Sequence, residues 1–181
     1  MKRFNTTGLC NPKKHYMVDI SDKLEKIKVL IENEEYFVIN RPRQFGKTTM
    51  LTALENALKD KFLVISISFE GFGDIIFSNE GMFCRRFLKN CSRAVRTIDK
   101  DGSKRLLEFS NEAEDLDSLS DCISDFIEEG NKEVILIIDE VDKSSNNQLF
   151  LSFLGMLRNK YLDREKGRGD EICFGVRFVW F

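Results

Sequence analysis

Apolar residues recur along this chain in two rhythms, a helical spacing of three and four and short unbroken runs. Leu24, Ile27, Leu30 and Ile31 keep the helical spacing, with Ser21 or Asp22 in place to cap their helix. The first twenty residues show neither rhythm and read as irregular, then extended. Tyr36 to Ile39 is an apolar run that predicts a short buried strand. From Lys47 onward, Met50, Leu51, Leu54, Ala57 and Leu58 draw a second helix, and Phe62 to Phe69 is β-rich before the turn signals Gly71 and Gly73.

A helix of roughly 20 residues is expected next, with Phe83, Phe87, Cys91, Ala94, Val95 and Ile98 along one face. Asp99 to Asp115 is acidic and weakly patterned. Leu116, Leu119, Ile123, Phe126 and Ile127 form another helical face, which Gly130 would end as a left-handed cap. Val134 to Ile138 is wholly apolar. Ser145 with Gln148 forms a capping-box pattern ahead of Leu149, Phe150, Phe153, Leu154, Leu157 and Tyr161. Ile172 to Phe181, aromatic and β-branched, predicts a last strand. Apolar strands alternating with amphipathic helices imply an α/β fold around a mostly parallel sheet covered on both faces.

Length and composition narrow this picture. The 181 residues suffice for one well-buried domain and not for two of full size. They contain two prolines, no repeat and no linker-like tract, so residues 1–181 are expected to form a single domain. In that division, residues 1–34 are an N-terminal extension and helix, and residues 35–181 the core. Sixteen Phe against one Trp and three Tyr predict a Phe-rich core. With 28 basic and 30 acidic residues the net charge is −2, which removes any global attraction to nucleic acid or an anionic membrane.

No apolar run approaches the roughly 20 residues of a membrane span, and no apolar segment follows the basic N-terminus as a secretory signal requires. The five cysteines (Cys10, Cys84, Cys91, Cys122 and Cys173) are odd in number and show no C-x-x-C spacing. Reduced core thiols in a cytoplasmic protein are therefore expected, rather than a disulfide framework or a zinc site.

Two motifs carry candidate chemistry. Asn40-Arg41-Pro42-Arg43-Gln44-Phe45-Gly46-Lys47-Thr48-Thr49 lies between a predicted strand and a predicted helix. It fits the phosphate-loop pattern G-x-x-x-x-G-K-[ST], with Arg41 in place of the first Gly. Backbone N–H groups from Arg41 to Thr49, Pro42 excepted, and the helix N-terminus would supply positive potential to phosphates. Lys47 would bridge the outer phosphates and the Thr48 hydroxyl would ligate Mg²⁺. The second motif is the apolar strand 134–138 running into Asp139-Glu140. Asp139 would support the metal and Glu140 would polarise an attacking water, which favours hydrolysis over transfer to a small acceptor. Strand C-termini are where α/β sheets bind ligands.

Other residues read as ordinary. His15 is the single histidine and suits a packing or surface role. Lys13-Lys14, Arg85-Arg86 and the Arg164 to Arg168 stretch read as solvated charge, and no string supports a Ser or Cys nucleophile.

On these motifs, together with Tyr16 to Ser21, Ile138 to Lys143 and Phe150 to Arg158, the chain resembles the bacterial AAA-ATPase-like proteins. The likeness spans residues 1–165, and the family's loop also reads R-P-R-Q-x-G-K-T. The resemblance implies a P-loop NTPase core of three layers, α/β/α, of the additional-strand type, binding ATP and Mg²⁺. It also implies a nuclease-like domain or an oligomer as partner. It places the last strand between the loop strand and the strand of Asp139, with a polar sensor at its tip. Phe174 to Phe181 offers only Arg177 there. The family's final core strand and helical lid are not found, so the expectation is a truncated product whose loop strand stands at a sheet edge. Three functional outcomes stay open at this point: Mg-dependent ATP hydrolysis, nucleotide binding without turnover, and an inactive fragment.

Overall fold

Among the described residues, four strands, all parallel, form the centre of the molecule. The computed structural model describes residues 2–4, 14–16, 18–35, 37–39, 46–140, 147–165 and 176–180. Its elements in chain order are α1 (Ser21–Glu32), β1 (Phe37–Val38), α2 (Lys47–Leu58), β2 (Leu63–Ser68), α3 (Asp74–Phe77), α4 (Glu80–Val95), α5 (Lys100–Glu112), α6 (Leu116–Glu128), β3 (Val134–Asp139), α7 (Gln148–Glu165) and β4 (Val176–Trp180).

The strand order is β1-β4-β3-β2. The last described strand in sequence thus lies between the first and third, and β1 stands at an edge of the sheet among the described residues. Val38 is level with Trp180, Trp180 with Ile138, and Ser68 with Asp139. Arg177 is correspondingly not at the tip of β4. It pairs with Ile135 near the strand's beginning, and Trp180 stands at the carboxyl edge instead.

The two-residue alternation of the strands sorts their side chains onto two helical layers. Val64, Ile135 and Ile137 pack with Ile27 and Ile31 of α1 and with Met50, Leu51, Leu54 and Leu58 of α2. Ile65, Ile67, Val134, Leu136 and Ile138 face α4 to α7. The path from β1 to β2 crosses with α2 on one face, and the return through β3 to β4 carries its helices on the other. A reversal of direction with a change of face is what one handedness of crossover requires.

The second layer is phenylalanine-rich, as composition implied. Phe69 has ring centroids of Phe72, Phe77, Phe83, Phe150 and Phe153 between 4.6 and 6.2 Å away. Phe153 is fully buried and meets Phe83 and Phe87 edge-on at 5.1 and 5.0 Å. Replacing Phe153 by Ala is expected to cost about 3–5 kcal/mol of stability. Denaturant midpoints at constant slope would measure this, and a loss under about 1 kcal/mol would show that the ring is not central to the core.

Several local expectations are corrected. The weakly patterned stretch Asp99 to Asp115 holds a helix that was not expected, since α5 occupies Lys100–Glu112. Its buried face mixes Leu106 and Phe109 with Ser103 and Ser110, so the apolar period is faint in sequence. Ser92 of α4 and Ser103 of α5 satisfy each other there, each hydroxyl donating to the other's carbonyl at 2.7 and 2.9 Å. The preceding helix α4 ends at Val95 rather than running through Ile98, which is exposed. Gly81 within α4 has no room for a side chain, because a Cβ there would sit 2.7 Å from the Glu114 carbonyl oxygen.

Helix ends differ too. Neither Ser21 nor Asp22 caps α1. Ile20 occupies that position, and Asp19 accepts a hydrogen bond from the Ser21 N–H at 2.9 Å. Its carboxyl is held below the ordinary value by hydrogen bonds from Ser21, side chain first and then backbone. Gly130 does not take the left-handed conformation, which among the described glycines belongs to Gly46 and Gly71. Asn147, not Ser145, caps α7, accepting from the N–H groups of Leu149 and Phe150 at 2.9 and 3.2 Å. Ser145 lies outside the described residues, as do Tyr36, Cys10, Cys173 and Arg168.

Candidate functional site

Because every strand runs the same way, both motifs leave the sheet at one edge. The loop of residues 40–45 follows β1 and lies outside the described residues, so the structure does not place Arg41, Pro42, Arg43, Gln44 or Phe45. It does place the loop's exit. Gly46 has φ +75°, and a Cβ added to it would meet nothing within 4 Å among the described residues. Glycine suits the left-handed turn there, a conformation that other residues adopt only at a cost. That turn delivers Lys47 as the first residue of α2, and the Gly46 carbonyl accepts from the Met50 N–H at 2.9 Å. Thr48 is exposed and its carbonyl accepts from the Thr52 hydroxyl at 3.0 Å, while Thr49 is half-buried.

Asp139 ends β3, and its carbonyl accepts from the Phe69 N–H at 3.0 Å. By alternation it continues the row of Ile135 and Ile137, the face that α2 covers. The helix that begins at Lys47 and the carboxylate of Asp139 therefore share one face and one edge of the sheet. The single strand β4 separates β1 from β3, a span of about 10 Å at ordinary strand spacing.

Glu140 follows with φ +58°, a left-handed conformation that costs a non-glycine residue roughly 1–2 kcal/mol. The Asp139 side chain supports it, its Oδ1 accepting from the Glu140 N–H at 2.8 Å. The chain thus turns sharply at the sheet edge, and Glu140 leaves the row of strand side chains. Both carboxylates are half-buried.

Sequence reasoning missed Ser68. It pairs with Asp139 in register and by alternation shares its face, and its Oγ accepts from the Glu70 N–H at 3.0 Å. The alternating serines in Val64-Ile65-Ser66-Ile67-Ser68 were the available signal, since they make one face of β2 polar toward its end.

The donor set suits Mg²⁺, which is commonly held by one or two carboxylates together with substrate phosphates. Thr48 and Asp139 provide one hydroxyl and one carboxylate. Among the described residues no group of three His, Cys, Asp or Glu is arranged to hold a metal by itself. Among the described cysteines, the buried thiols of Cys84 and Cys91 are held protonated. Burial, aided by Glu80 and Asp115, pushes the Cys84 thiol up to about 12, and burial likewise raises Cys91. Among the described residues no helix is long and apolar enough to cross a membrane.

Compared with known proteins, the chain matches a family model described as an AAA-like domain over residues 16–178. No curated protein and no solved structure matches it.

Proposed function

We propose that this chain, which belongs to the AAA-like domain family, binds Mg-ATP at the carboxyl edge of its parallel sheet and hydrolyses it there. The observation that carries the reading is the shared face and edge of the Gly46–Thr48 turn and Asp139. The placement of β4 between β1 and β3 supports a three-layer P-loop core of the additional-strand type.

In this reading the backbone from Arg41 to Thr49 wraps the phosphates, and Lys47 neutralises the outer ones. Thr48 and Asp139 hold Mg²⁺, which when bound offsets charge on the phosphate oxygens. Glu140 accepts a proton as the water oxygen bonds to the terminal phosphorus and the bridging P–O bond breaks. The adenine, a cytoplasmic setting, and an oligomeric or nuclease-like partner follow from the family resemblance alone.

A second reading is nucleotide binding without turnover. Trp180, a residue with neither hydroxyl nor amide, stands level with Val38 and Ile138 at the edge where a polar sensor would act. Stabilising charge in the transition state is worth about 10³–10⁵ in rate where an arginine finger supplies it, so losing such groups can stop catalysis without stopping binding.

Thermal unfolding with and without Mg-ATP tests the common part. Ligand at one hundred times its dissociation constant should add about 2.7 kcal/mol to the folded state and raise the midpoint. A cooperative but unmoved transition would overturn the proposal, and absence of any cooperative transition would support the inactive-fragment outcome. Phosphate release then separates hydrolysis from binding alone.

A further inference from the structure

A cavity of about 470 Å³ opens at the opposite, amino edge of the sheet, among the first residues of β2 and β3. Leu63 and Val134 form its floor with Phe62 and Phe126, and Ile98, 62% exposed, stands at its rim. The volume falls within the range of about 300–1,000 Å³ seen for small-molecule sites. Strands of six residues separate it from Ser68 and Asp139, on the order of 17 Å away at about 3.3 Å per residue. It is therefore independent of the nucleotide reading.

The charges around this cavity balance. Lys59, Arg105 and Lys132 face Asp99, Asp101 and Glu129. Arg105 and Glu129 are already engaged, with the Arg105 Nε and Nη2 donating to the two carboxylate oxygens at 2.7 Å. Asp99 accepts from the Gly102 N–H at 2.9 Å. An ionic ligand would meet like charge as often as opposite charge, whereas an apolar body would cover Ile98 and the floor. A smaller void of about 30 Å³ shares Phe126 and Val134 with the cavity and is lined by apolar residues and Cys91.

We propose that this amino-edge cavity is a second binding site, for a small uncharged molecule with an apolar, ring-sized body. The polar groups at the rim hold its hydrogen-bonding substituents, and its body replaces water over Phe62, Leu63, Phe126 and Val134.

The test is a fluorescence titration of the full chain with N-phenyl-1-naphthylamine, a neutral aromatic probe. Saturable binding at one probe per chain is expected, unchanged by excess Mg-ATP. Leu63→Trp, which fills the floor, should weaken it at least tenfold. Ile98→Gln changes an exposed residue outside any helix, leaves folding intact, and should weaken binding about threefold or more. No saturable binding, or equal affinity in both folded variants, would overturn the proposal. So would displacement of the probe by Mg-ATP, or a self-association that removes binding as concentration rises.

Discussion

Replacing Lys47 by alanine is expected to erase the rise in unfolding midpoint that Mg-ATP gives the parent chain. The lysine opens α2 directly after the left-handed Gly46, at the carboxyl edge of the sheet, where the first N–H groups of a helix lie beyond the reach of its own i→i−4 bonding. An ammonium there supplies the charge-assisted hydrogen bonds that phosphate oxygens accept, roughly twice as strong as neutral ones. Alanine is the best helix former, so the unliganded midpoint should stay where it was. The expected loss is the whole ligand contribution, about 2.7 kcal/mol at one hundred times the parent's dissociation constant. A variant that is stabilised by Mg-ATP as much as the parent would show that nucleotide binds elsewhere.

Glu140→Gln should have the opposite profile, with the Mg-ATP midpoint shift retained and phosphate release reduced about 10²–10⁴-fold, the usual worth of a general base. The substitution keeps the side chain's size and leaves the Glu140 N–H that Asp139 accepts. It removes only the group that takes up a proton. Single-turnover phosphate release measures it. Equal rates in parent and variant would remove Glu140 from the chemistry, and no release from either, with the shift intact, would select binding without turnover.

The same two motifs show how far residues alone reach. The loop pattern ending at Gly46-Lys47-Thr48 needs only local order, a strand before it and a helix after it, and the structure supplies both. The apolar run Val134 to Ile138 announced a strand buried on both faces, and all five residues are buried. Helix α5 was illegible because Ser103 and Ser110 occupy core-facing positions, and their burial depends on Ser92 from another helix. The caps at Ile20 and Asn147 were misplaced for a related reason. Several polar residues in succession could serve, and the backbone path into each helix chose among them.

By itself, then, the sequence determined the α/β class, the Phe-rich core and the residue types of the candidate phosphate and metal groups. These follow from periodicity and from side-chain chemistry, which are local. Tertiary structure decided which groups meet. The order β1-β4-β3-β2 sets Gly46 and Asp139 one strand apart on the α2 face, brings Ser68 level with Asp139 and moves Arg177 away from that edge. Register and strand order arise from pairing between segments far apart in the chain. No local pattern encodes them, because each depends on which apolar faces bury one another when the sheet closes.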